Sequence, residues 1–183
     1  MNREQRRAAK AKPRRPVGPP AYLLKLADAA AQQTERAALR SKANPDAPAP
    51  AESQALLIAT MASALESIKR GKNPTEYDWR TVADLPNIIE AMIRMEYLGK
   101  DDAEPHLHIA TTGLVETRNR AIAGNGYRLT GEALSSMSHL FDIYTAAIEQ
   151  LTERETVEIM LNVADFVRAA FRAMERGECV VVG

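Results

Sequence analysis

The stretch Thr130–Gly177, TGEALSSMSHLFDIYTAAIEQLTERETVEIMLNVADFVRAAFRAMERG, decides the fold. Thr130 is an N-cap residue whose hydroxyl can accept a hydrogen bond from a first-turn N–H. Behind it Leu134, Met137, Phe141, Tyr144, Ile148 and Leu151 recur at helical spacing, and Leu140, Ile143 and Ala147 broaden the stripe to a face. Thr152 follows at once, with Glu155 in the position of a capping-box partner, so a second helix starts there. Its stripe reads Val157, Met160, Leu161, Ala164, Val167, Phe171 and Met174, and Gly177 is placed to stop it. Glu153, Glu155 and Glu158 open this helix while Arg168, Arg172 and Arg176 close it, which complements the helix dipole. Two helices with almost no linker predict an αα-hairpin whose stripes pack on each other and on a third element, with Leu161 in the core.

Upstream, the signals continue to be helical. Leu57, Met61, Leu65 and Ile68 form a stripe ended by Gly71. Asn73-Pro74 reads as a restart, with Asn73 as N-cap and Pro74 in the first turn. The helix carrying Tyr77, Trp79 and Val82 then meets Pro86, which lacks an N–H and is expected to kink or break it. Ile88, Ile89, Met92, Met95 and Leu98 continue the pattern as far as Gly99. Pro105 opens a helix using Leu107, Ala110, Leu114, Ala121 and Ile122, and Gly124-Asn125-Gly126 is a turn that needs positive φ. The fold class is therefore all-α: a bundle of about five or six helices over 52–177 with a C-terminal αα-hairpin. It is preceded by a flexible basic arm at 1–20, a tethered helix at 21–40 and a Pro/Ala linker at 41–51, and followed by a tail at 178–183.

Composition supports this assignment and narrows the setting. The 183 residues are 45% apolar but only 5% aromatic, which favours helices over sheets. The single Cys179 excludes an intramolecular disulfide and fits a reducing compartment. No apolar segment follows the charged N-terminus, and the run Ala55–Leu65 falls well short of the roughly 18–20 residues that span a bilayer. The expectation is a cytoplasmic protein with no membrane contact.

Net charge is zero, an average that hides an asymmetry. Residues 1–16 carry Arg3, Arg6, Arg7, Lys10, Lys12, Arg14 and Arg15 against Glu4, a net +6, so the remainder carries −6. Arg and Lys on an extended segment neutralise phosphates, and short Arg-rich segments fold on RNA. These seven side chains are the candidate nucleic-acid contacts, to RNA or DNA. In the 21–40 helix, Tyr22, Leu23 and Leu26 form a narrow apolar face that is a candidate for binding a protein partner or a second copy.

The opening Met1-Asn2-Arg3-Glu4-Gln5-Arg6-Arg7-Ala8-Ala9-Lys10 resembles the start of short phage and prophage proteins of proteobacteria. Gly71–Trp79 (GKNPTEYDW) and Gly126–Glu132 (GYRLTGE) resemble parts of the same helical proteins. Asn2–Lys10 also resembles the Arg-rich RNA-binding peptide of lambdoid phage antitermination proteins, with a sparser Arg pattern. The helical phage proteins have no assigned function, so the resemblance implies a mobile-element origin and carries over no site residue.

Other motifs reduce to structure. A helix-turn-helix over 105–122 and 131–151 fails on charge, because Glu132–Leu151 holds no Lys or Arg to face phosphates. His106 and His108 lie two apart and so point in different directions on a helix, His139 is separate, and Cys179 sits in the tail; no metal is expected. Asp101, Asp102 and Glu104 lack the EF-hand pattern. Glu76 and Asp78 are first-turn acids, and Tyr77 and Trp79 are packing residues. No nucleophile elbow, P-loop, dinucleotide fingerprint or zincin motif occurs. The sequence thus predicts a non-enzymatic binding protein without a cofactor. The alternative is a purely protein-binding or structural helical module.

Overall fold

The computed structural model describes residues 44–71 and 74–175, with Ala37, Leu39 and Lys42 before them and side chains as far as Ala169. Five helices follow one another: α1 (Ala51–Arg70), α2 (Glu76–Arg94), α3 (Glu104–Ile122), α4 (Gly131–Ile148) and α5 (Glu153–Glu175). The bundle is all-α. No described helix is long and apolar enough to cross a membrane.

Local signals explain most boundaries. Thr130 caps α4, its hydroxyl accepting from the Ala133 N–H. At α5 the capping box is complete: Glu155 N–H donates to Thr152 Oγ1 at 3.2 Å, and Thr152 N–H donates to Glu155 Oε2 at 2.8 Å. Gly71 closes α1 in the left-handed region, at φ 61°, and Gly124 and Gly126 turn the chain between α3 and α4 at φ 87° and 73°.

Three boundaries differ from the sequence reading. The cap of α2 is Thr75, boxed with Asp78, so Pro74 precedes the helix; Asn73 lies outside the described residues. Pro86 does not divide α2, which runs unbroken from Glu76 to Arg94. A mid-helix proline costs about 3 kcal/mol. Around it, however, Val82, Leu85, Ile88 and Ile89 are almost wholly buried, at roughly 1.5–3 kcal/mol apiece. The Asn87 side-chain amide also donates to the Ala83 carbonyl at 3.2 Å, in the turn that the proline perturbs. Tertiary burial outweighs the local penalty. Finally, α2 stops before Gly99. Glu96 adopts φ 64°, its N–H bonding the Ile93 carbonyl while the Tyr97 N–H bonds the Met92 carbonyl. That is a Schellman closure with glutamate in the position usually held by glycine.

The core joins all five helices. α2 packs against each of the other four, and α4 against α1, α2 and α3. Tyr144, Met137, Leu140 and Ile148 of α4 meet Leu85, Ile89 and Met92 of α2 in this core. The closest helix pair is α3 with α4: a Cβ on Gly113 would overlap that of Ala133. The last two helices bury their stripes chiefly against earlier helices, α4 on α3 and α5 on α2.

That partner choice rotates α5 away from the expected phase. Ile159 and Val163 are buried, with Phe166 and Val167 partly so, whereas Leu161 is 49% exposed. Ile122 at the end of α3 is likewise on the surface, and the buried line on that helix ends at Thr117. The segment read as a linker is tied down in its second half. Ala49 N–H donates to the Leu151 carbonyl and Glu153 N–H to the Ala47 carbonyl, strapping residues 47–49 over the α4–α5 junction.

Two outcomes are expected from thermal unfolding. Ile159→Ala should cost about 2–5 kcal/mol while Leu161→Ala changes stability by less than about 0.5 kcal/mol; equal losses would show the phase of α5 to be wrong. Gly113→Ala should destabilise by about 1–3 kcal/mol despite its better helix propensity, because α3 and α4 must separate. A rise in melting temperature would contradict that close approach.

Candidate functional site

The arm residues Arg3, Arg6, Arg7, Lys10, Lys12, Arg14 and Arg15 lie outside the described residues, as do Tyr22, Leu23 and Leu26 and the tail from 178. The body offers two places where polar side chains are brought together.

The first is a cleft of about 430 Å³ between the end of α2 and the start of α3, lined by Glu90, Ile93, Arg94, Lys100, Glu104, Leu107 and His108. Ile93 and Leu107 supply its apolar surface. Lys100 and Glu104 pair across one turn at 3.5 Å. Arg94 is held from α5, donating to Asn162 Oδ1 with its guanidinium 5.8 Å from the Phe166 ring centre. Loss of water around Glu90 pushes its carboxyl above the ordinary range, and the Arg94 charge opposes that shift. The cleft therefore presents charges of both signs over an apolar surface, with Lys100 and Glu104 paired to each other and Arg94 held by Asn162.

The second place is the opposite end of the bundle, where α1 ends and the α3–α4 loop passes. The Arg128 carbonyl accepts from the Thr117 hydroxyl at 2.9 Å and from Arg120 Nη2 at 2.7 Å, and Arg120 Nη2 also reaches Thr117 Oγ1 at 3.1 Å. Thr117 is fully buried, so the clamp is anchored in the core. One residue earlier, Tyr127 packs on Trp79 with ring centres 6.0 Å apart. The Arg128 side chain crosses to the end of α1, its Nε 4.0 Å from where a Cβ on Gly71 would sit. This cluster was missed from sequence. Its signal is the Gly124-Asn125-Gly126 turn, which brings 127–128 back alongside 117–120.

The histidines need one correction. His106 and His108 do diverge, the first towards α4 and the second into the cleft. His139 is not separate: its ring centre is 4.1 Å from that of His106, and His106 Nδ1 lies 3.4 Å from Ser136 Oγ. Among the described residues no three His, Cys, Asp or Glu side chains converge as a metal site. The first-turn acids of α2 have local partners: Asp78 completes the Thr75 box and Glu76 pairs with Arg80 at 2.7 Å. Trp79 packs against the core, while Tyr77 is exposed rather than packed.

The chain matches no protein family, no curated protein and no solved structure.

The raised Glu90 carboxyl sets a pH test. A carboxyl whose folded pKa lies above its unfolded value holds its proton in the native state after the unfolded chain has released it, so stability falls as pH rises from about 4 through the folded pKa. Glu90→Gln should raise the melting temperature at pH 7 and give no gain at pH 3, where both states are protonated. The same difference at both pH values would remove the titration as its cause.

Proposed function

We propose that the chain is a non-enzymatic, cytoplasmic accessory protein of the phage or prophage kind that binds a macromolecule, its basic arm contacting nucleic acid without sequence preference. The observation that carries this reading is the charge asymmetry: net +6 over residues 1–16 against −6 over the rest. A polyanion gathers such an arm by releasing counterions.

A purely protein-binding module is the second reading. Val115 and Ile122, 53% and 76% exposed on one stripe of α3, favour it, since apolar side chains in register on a helix face suit a protein partner.

Fluorescence anisotropy with labelled RNA and duplex DNA across a salt series separates the two. The full chain is compared with one in which Arg3, Arg6, Arg7, Lys10, Lys12, Arg14 and Arg15 are all Gln. Contacts from about four to six charges give a log–log slope of roughly −3 to −5, and the neutralised arm should flatten it. Absence of binding at low salt would leave the protein-binding reading.

A further inference from the structure

We propose that the corner where α1 ends and the α3–α4 loop passes is a second phosphate-binding surface, in which Arg120, Arg128 and Arg70 take the backbone of a nucleic-acid strand. The proposal rests on the reading above that the chain meets nucleic acid, and it adds a site on the folded body.

The first observation is a difference in pairing. Arg80, Arg154, Arg168 and Lys100 each have a carboxylate within an ion-pair distance. Among the described residues Arg94, Arg118, Arg120 and Arg128 have none, and three of these four lie at the end of α3 or in the loop behind it; the only partners of Arg120 are the Thr117 hydroxyl and the Arg128 carbonyl. Beside them, Arg70 and Lys69 share the single carboxylate of Glu66, at 3.2 and 3.7 Å. Counted over this end of the bundle, Lys69, Arg70, Arg80, Arg118, Arg120 and Arg128 stand against Glu66, Glu76, Asp78, Glu116 and Glu132, an excess of one positive charge on a chain whose remainder is otherwise acidic.

Helix dipoles do not absorb that excess. α1 and α3 end at this corner, contributing roughly half a negative charge apiece, but α2 and α4 begin there and contribute the opposite. Asp78 lies at the same end, with its Oδ2 engaged by Thr75 and by the Ser67 hydroxyl.

The second observation is rigidity. The loop carrying Arg128 is held through its carbonyl by Thr117 and Arg120, and through Tyr127 by Trp79. Its Nε lies 4.0 Å from where a Cβ on Gly71 would sit, at the end of α1. The backbone that presents Arg128 is held while its guanidinium stays exposed and without a partner among the described residues, so its planar fork is open to phosphate oxygens. A strand can touch one such corner, whereas a broad anionic membrane surface would also face the acidic remainder of the body and be repelled. The partner chemistry is thus a single nucleic-acid strand.

The test uses the full-length protein and a labelled single-stranded RNA, read by anisotropy across a salt series, with duplex DNA as a second probe. Arg70→Gln with Arg128→Gln should lower the log–log slope by about 1–1.5, from about 0.7 per lost contact on a single strand. Both side chains are exposed and the loop bonds use the Arg128 carbonyl, so the melting temperature should not move. Arg70→Lys with Arg128→Lys should restore the slope, and Arg154→Gln with Arg168→Gln on α5 should leave it unchanged. A wild-type slope in the Arg70/Arg128 double variant overturns the corner while the arm reading stands. Binding lost in that variant but kept when the arm is neutralised overturns the arm reading and supports the corner. No binding of the full chain to either probe overturns both.

Discussion

Burial of α2 is the constraint on which the rest depends. It packs against all four of the other described helices, and its inner residues from Val82 to Met92 are sealed from water. A helix surrounded on several sides needs apolar residues around more than one stripe, and Leu85, Ile88, Ile89 and Met92 provide them. The same encirclement allows Pro86 to sit within it. The proline's cost is local, and the packing that offsets it comes from other segments of chain.

Features written in neighbouring residues were legible from the sequence. The Thr130 cap, the Thr152–Glu155 box, the Gly71 stop and the Gly124–Gly126 turn are each decided within a few residues, and each is found in place. Features decided by distant partners were not. The α5 helix carries apolar residues on two sides, and which side turns inward depends on where α2 lies; Ile159 and Val163 win over Leu161 for that reason. The end of α2 at Glu96 is equally hidden, because backbone hydrogen bonds force a left-handed conformation that glutamate does not advertise. The Thr75 cap is local as well, a box with Asp78 three residues on that the neighbouring Asn73-Pro74 signal obscured, and Ser67 of α1 adds a further bond to Asp78.

The candidate sites divide in the same way. Charge along the first sixteen residues can be read directly, because it needs no geometry. The cleft beside Arg94 and the corner at Arg128 draw residues from three or more segments each, and no run of residues signals either. The His106–His139 contact belongs with them: thirty-three positions separate two side chains whose rings touch only because Gly113 lets α3 and α4 approach so closely.

The strap at residues 47–49 bears on how the body assembles. Its partners, Leu151 and Glu153, lie about a hundred residues further along the chain, and the Gln54 amide reaches the Ile148 carbonyl over 94 positions. Contacts of such high sequence separation form only after the intervening chain has been ordered, which raises contact order and slows folding. They also join the first described segment to the last helix. Opening the α4–α5 junction would therefore release the start of α1 as well, so the two ends of the body gain and lose structure as one cooperative unit.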